Sequence, residues 1–162
     1  MILVTVGTNE QPFDRLVEAA AGLTGTEPLL VQYGSSRVGH GRGTWVDFVS
    51  FDELAEHMRA ARAVVCHAGV GSIMLARRCG KRPIVVPRRL HLREAVDDHQ
   101  LTLARRLHAS RLVELVDDDR DLPAAIAAHA SEADDEPAAV ALAGVDALAD
   151  DVRLYLEGLV AA

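Results

Sequence analysis

Aromatic side chains make up only 4% of this 162-residue chain. A core without them has to be filled by Ala, Val and Leu, and a hydrophobic share of 49% can do so. Cysteine is scarcer still. Cys66 and Cys79 each lie beside an apolar run, and no second pair or nearby histidine gives zinc spacing. Both are expected to be small buried residues, as in a reducing cytoplasm. No apolar run approaches membrane-spanning length. The opening "MILVTVGT" is apolar but short and has no positive leader, so it reads as a first strand and not a signal peptide. An excess of positive charge is also missing. With 17 Lys and Arg against 24 Asp and Glu, the net charge is −7, which argues against bulk nucleic-acid binding. The expectation is a soluble, cytoplasmic, single domain spanning residues 1–162.

The charge that is present is unevenly placed. Seven of the 17 basic residues, Arg77, Arg78, Lys81, Arg82, Arg88, Arg89 and Arg93, fall in one short stretch, and acids crowd residues 114–136. Two readings stand: solvated surface, or a site for an anion, a partner or a membrane surface beside an acidic tail. Apolar runs at 2–6, 29–32, 45–49, 64–65, 84–86 and 112–116 read as strands. Helical spacing predicts helices over 12–21, 51–60, the segment ending at Arg78, and 96–109, with two more beyond. Ser50 or Asp52 caps the second of these, and Gly80 ends the third. The glycine-rich segment 34–43 reads as a mobile loop.

Strands alternating with helices predict an α/β fold, a Rossmann-like doubly wound parallel sheet with right-handed crossovers. Residues 131–137 read as a flexible joint before a terminal helix over 137–160. On that helix Val145, Leu148, Val152, Tyr155 and Leu159 form one stripe, open to packing on its own sheet or to docking on a partner.

The chemistry concentrates at "CHAGVGS", residues 66–72, between an apolar strand and a helix. In such sheets ligands bind at the carboxyl ends of strands, where helix N-termini present unpaired N–H groups and a positive dipole end. A phosphate suits that position. Gly69 and Gly71 let backbone approach a ligand and permit positive φ, Ser72 adds a hydroxyl, and His67 adds a donor whose charge depends on its surroundings. Glycine turns and serine caps also occur without any ligand, and neither GxxxxGK[ST] nor GxGxxG is present. Gly7-Thr8 is a second backbone turn of the same kind. "VDDHQ", residues 96–100, opens a later helix. Asp97 and Gln100 have capping-box spacing, or else His99 and Gln100 face the cleft and bond sugar hydroxyls.

Together, "VTVGT", "HAGVGSIM", "PIVVPR" and "DDHQ" resemble the C-terminal, donor-binding domain of family 28 glycosyltransferases, above all its stand-alone Alg13-like subunits and their bacterial exopolysaccharide counterparts. The likeness runs from Met1 to about Leu107. It implies one half of a GT-B enzyme that holds a nucleotide-diphosphate sugar, usually a UDP-sugar. His67, Gly69, Gly71 and Ser72 would face the diphosphate, His99 and Gln100 the sugar, and Phe48 and Val49 the base. Gly7 and Thr8 would lie near the reaction centre. The resemblance further implies inverting transfer. Backbone amides, Ser72 and His67 could stabilise the leaving charge, and no Asp-x-Asp motif stands on a plausible metal-binding loop, so no metal or other cofactor is expected. The acceptor would be lipid-linked or a polysaccharide, held by a membrane-associated subunit that brings the chain to the inner face of the membrane. A homodimer stays open, and no general base is identified. Where the family usually has a glutamate for the ribose hydroxyls, three residues after the serine, this chain has Leu75. That departure implies an altered nucleotide preference or a binding module without catalysis. Hydrolase- or epimerase-like chemistry on nucleotide sugars is a third reading, although no carboxylate pair stands out.

Overall fold

Six short runs, Ile2–Thr5 (β1), Leu29–Gln32 (β2), Thr44–Val46 (β3), Ala63–His67 (β4), Ile84–Val86 (β5) and Glu114–Leu115 (β6), form one sheet in the computed structural model. All pairs are parallel, in the order β3-β2-β1-β4-β5-β6. The structure describes residues 1–37 and 39–129, with Ala149, Asp150 and Arg153 beyond them. The central strands are covered on both faces, so they read as continuous apolar runs without alternation. Period two still divides their side chains. Ile2 and Val4 meet Leu16, Val17 and Ala20 of helix Asp14–Ala21 (α1) and Leu122 and Ile126 of Leu122–Ala128 (α5). Leu3 points the other way. It meets Ala55 and Met58 of Phe51–Ala60 (α2) and Leu75 and Ala76 of Val70–Arg78 (α3). His99–Ala109 (α4) adds Leu103, Ala104 and Leu107 over Cys66 and Val85. The doubly wound α/β fold expected from the sequence is the fold observed.

The chain winds from β1 outward through β2 to β3, then crosses to the other flank of β1 for β4, β5 and β6. The direction therefore reverses between β1 and β4, which pair in the register Thr5↔Cys66. A crevice opens outside the carboxyl ends of strands at such a point, and this positions the site.

Several local expectations give way to side-chain competition. The third strand stops at Val46, and Phe48 and Val49 lie in the loop after it. Asp47 turns the chain there: its carboxylate accepts from the Phe48 N–H at 2.7 Å. Helix α4 starts at His99 and not at residue 96. Asp97 accepts from the His99 N–H at 3.0 Å and Asp98 from the Leu90 N–H at 3.2 Å, so both aspartates hold a turn. The Asp97–Gln100 capping box is not formed, because the Gln100 Oε1 accepts from the Arg88 N–H at 3.3 Å. The solvated reading of the basic stretch fails at Arg77 and Arg88, 2% and 0% exposed. Cys66 is buried as expected, but Cys79 is only partly so. The joint at 131–137 and most of the helix expected over 137–160, with Val145, Leu148, Val152, Tyr155 and Leu159, lie outside the described residues.

Candidate functional site

A cleft of about 490 Å³ opens on the carboxyl edge of the sheet at the β1/β4 reversal. Its floor is built at the ends of the two central strands. Strand β1 runs out at Thr5, and Gly7 then turns the chain with φ +77, a conformation that favours glycine. Strand β4 ends on His67. The His67 imidazole lies between Gly7 and Gly69: a Cβ on either glycine would overlap the ring. Both glycines are thus fitted to the histidine. The positive φ that glycine permits is not used at Gly69 or Gly71. Gly69 has φ −85 and Gly71 stands inside helix α3, so the left-handed residue of the site is Gly7.

The Nδ1 of His67 is buried and has no hydrogen-bond partner. Burial, and after it the charge of Arg88, push the His67 pKa down to about 4. The ring is therefore neutral at pH 7, with one nitrogen able to donate and the other to accept.

Beside His67, the N-terminus of α3 is open. Its N-cap is Gly69, with no side-chain cap and no acid in the first turn. The amides of residues 70–72 precede the first intrahelical bond, which runs from the Ile73 N–H to the Gly69 carbonyl at 3.1 Å. Gly71 and Ser72 line the cleft. Helix α2 starts on the same rim but is closed by its own residues. Ser50 and Glu53 form a reciprocal capping box, and Asp52 adds a first-turn acid. Of the two helix ends, only that of α3 leaves its dipole for an outside anion.

Part of the lining is apolar: Phe48, Val49, Phe51, Leu54 and Leu75. Phe48 and Phe51 are 62% and 67% exposed, an uncommon position for aromatic rings in so aromatic-poor a chain. Leu75 is 7% exposed and packs with Leu3, Ala55 and Met58, so it is core as well as wall. Under this wall, sequence reasoning missed a polar pair, Thr5 and Gln32. The Thr5 hydroxyl donates to the Gln32 Oε1 at 2.6 Å, and the Gln32 Nε2 donates to the carbonyls of Gly7 and Asp47 at 3.1 and 2.9 Å. One carboxamide thereby ties the β1 turn to the end of β3. A threonine and a glutamine closing otherwise apolar strands were the available signal.

Of the residues singled out by sequence, Gly7, Thr8, Phe48, Val49, His67, Gly71 and Ser72 line this one cleft, together with Asn9. Gly69 lies behind His67. His99 and Gln100 are on the same sheet edge but outside the lining. The His99 ring is 2.9 Å from the Asp97 carboxylate, and Gln100 holds the Arg88 backbone. No lining residue is Asp, Glu, Lys or Arg. An uncharged ring, an open helix end and an apolar wall fit a ligand that is anionic at one end and flat or apolar at the other.

Residues 1–150 match the family described as glycosyltransferase family 28 C-terminal domain. A Yarrowia lipolytica protein, UDP-N-acetylglucosamine transferase subunit ALG13, is 32% identical over 136 residues, covering 75% of this chain and 66% of that relative. Two solved glycosyltransferases share the fold. The glycotransferase of kitacinnamycin aligns with TM-score 0.57 and 21% identity over 95% of this chain and 39% of its own. The calicheamicin glycosyltransferase CalG4 gives 0.58 and 15%, over 95% and 38%. This chain therefore corresponds to well under half of either structure, as a single GT-B half-domain does.

Proposed function

We propose that this chain, which belongs to the glycosyltransferase family 28 C-terminal domain family, is the donor-binding subunit of a glycosyltransferase. It binds a nucleotide-diphosphate sugar, a UDP-sugar in the first instance, and works with a membrane-associated subunit that binds a lipid-linked or polysaccharide acceptor. The observation that carries this reading is the cleft itself. An uncapped helix N-terminus and neutral His67 share one cleft with Phe48 and Val49, and no charged side chain lines it. The diphosphate lies on the residue 70–72 amides and the Ser72 hydroxyl, and the base lies against Phe48 and Val49. His99 and Gln100, in the first turn of α4 and outside the lining, contact the sugar where it extends past the cleft.

As the bond from the anomeric carbon to the diphosphate breaks, negative charge grows on the leaving oxygen. Amides 70–72, Ser72 and the His67 ring stabilise it as fixed dipoles, without a metal. The acceptor hydroxyl attacks from the opposite face, and the configuration inverts. A base must take the proton of that hydroxyl. The lining holds no carboxylate, so the base comes from the acceptor-binding subunit. No helix among the described residues is long and apolar enough to cross a membrane, so in this reading the partner supplies the membrane attachment.

Calorimetric titration with UDP-, TDP- and GDP-sugars, with and without the co-expressed partner, tests the proposal. Binding of one nucleotide class by the chain alone, with transfer only in the pair, is the expected result. Leu75 favours a second reading, a binding module without catalysis: its buried apolar side chain offers nothing to ribose hydroxyls. Nucleotide binding without transfer in any partnered form supports that second reading, and no binding at all overturns both.

A further inference from the structure

We propose that Arg88 is a positioning residue of the cleft, its guanidinium fastening the residue 6–12 segment, which carries Gly7, Thr8 and Asn9, to the loop that follows β5. Arg88 is 0% exposed. Its Nη1 donates to the carbonyls of Gln11, Pro12 and Glu94 at 2.9, 3.0 and 3.1 Å, and its Nη2 to the Val6 carbonyl at 3.2 Å. The guanidinium also stands 4.6 Å from the centroid of the Phe13 ring. Its own N–H is held by Gln100. One side chain therefore gathers both ends of the segment that forms the β1 side of the cleft, and joins them to the loop leading to His99 and Gln100.

The acceptors are backbone carbonyls, not a carboxylate. The Glu94 carboxylate is turned elsewhere, to the Arg15 guanidinium at 3.0 Å and the Arg89 N–H at 3.0 Å. A cation buried among neutral acceptors is costly to desolvate, yet an apolar residue in its place would leave those buried carbonyls without donors. What the apolar residue lacks is the planar fork that reaches several carbonyls in fixed directions, which lysine lacks too. Arg88 also places a permanent positive charge behind His67, whose protonation it disfavours. It thus acts on the site in two separable ways, by geometry and by charge. The role rests on the nucleotide-binding reading above.

R88K keeps the charge and loses the fork, whereas R88M loses both. UDP affinity, NMR order parameters of the Gly7, Thr8 and Asn9 amides, and the NMR titration of His67 are measured in each. R88K is expected to bind UDP about tenfold to a hundredfold more weakly, with lowered order parameters in the 7–9 segment and an unchanged His67 titration. R88M is expected to match it in binding and to shift the His67 titration upward as well. A folded R88K with wild-type affinity and an ordered segment overturns the proposal, and so does a His67 titration indifferent to R88M. If neither variant folds, the wild type decides. A fastened guanidinium shows separate, slowly exchanging Nη protons, and averaged Nη signals overturn the proposal. If the wild type does not bind UDP, the functional reading fails, while the order parameters and the His67 titration still judge Arg88.

Discussion

The carboxyl edge of the sheet carries two cavities of similar size and opposite character. The one at β1 and β4, about 490 Å³, has no charged residue in its lining. The one beside β5 and β6, about 440 Å³, is lined by Arg15, Arg89, Asp117, Asp118, Asp119 and Arg120. Charge alone would single out the second as the site. Its charges, however, satisfy one another. Arg15 meets Glu94 at 3.0 Å and Asp119 at 3.4 Å, Arg89 meets Asp117 at 2.7 Å, and Arg120 meets Asp118 at 2.5 Å. In the neutral cavity Thr5 and Gln32 are paired, but the His67 Nδ1 has no partner and the first amides of α3 have no side-chain cap. A ligand is drawn by unmet hydrogen-bonding capacity more than by charges that already cancel.

The largest test of this contrast is Gly7→Ala. The substitution puts a Cβ on a residue at φ +77 and into the His67 ring. Left-handed strain and overpacking together should cost about 2–4 kcal/mol in chemical denaturation and should abolish UDP binding. A variant with wild-type stability would show that the His67 cradle is loose.

The next effect is one of pH. A His67 pKa of about 4 in the fold lies below the ordinary 6.5. The unfolded chain then takes up a proton at a pH where the folded chain does not. Stability is full above about pH 6.5 and declines as pH falls toward 4, below which both states are protonated. By pH 4.5 the loss attributable to His67 should be about 2–3 kcal/mol. Denaturation of wild type and His67→Gln at pH 7.5 and pH 4.5 measures it, and the variant should lack that part of the acid loss. Equal acid loss in both proteins would place His67 in water.

These two effects also mark what the sequence could reveal. Strand–helix alternation was enough for the fold, because buried parallel strands announce themselves as apolar runs such as Ile2-Leu3-Val4 and Ile84-Val85-Val86. Seven of the ten residues chosen for the site line the cleft: His67, Gly71 and Ser72 were legible as strand–helix turn chemistry, Gly7 and Thr8 as a second glycine turn, and Phe48 and Val49 only through the family resemblance. Pairings across long sequence separations were not legible. That Gly7 and Gly69 enclose one ring, that Gln32 ties Gly7 to Asp47, and that Arg88 reaches back to Val6 all depend on tertiary contacts. Short polar side chains also moved the ends of elements, as Asp47 does after β3 and Asp97 before α4.

A smaller effect separates the two cavities directly. Ser72→Ala removes a hydroxyl from the neutral cavity without touching the core, and should weaken UDP binding about tenfold, near 1.4 kcal/mol. Arg120→Ala, in the charged cavity, should leave UDP binding as it was, since that side chain is 85% exposed and pairs with Asp118. Calorimetry on both variants reads the difference. The reverse ranking would move the site to the β5/β6 side.

The smallest effect is the most discriminating, because stability and binding should change in opposite directions. Gly71 lies in the first turn of α3 without positive φ, and a Cβ there meets nothing within 4 Å. Alanine is the better helix former, so Gly71→Ala should stabilise the fold by about 0.5–1 kcal/mol. The space that admits the Cβ is the cleft itself, which Gly71 lines. The methyl group then stands where a phosphate would approach the amides of residues 70–72, and UDP affinity should fall while the melting temperature rises. At Gly7, by contrast, both quantities fall together, because that glycine serves the fold and the site at once. A Gly71→Ala protein that is more stable and binds UDP undiminished would mean that the open end of α3 is not where the anion sits. The neutral cavity would then keep its unmet hydrogen bonds but lose its claim to the diphosphate.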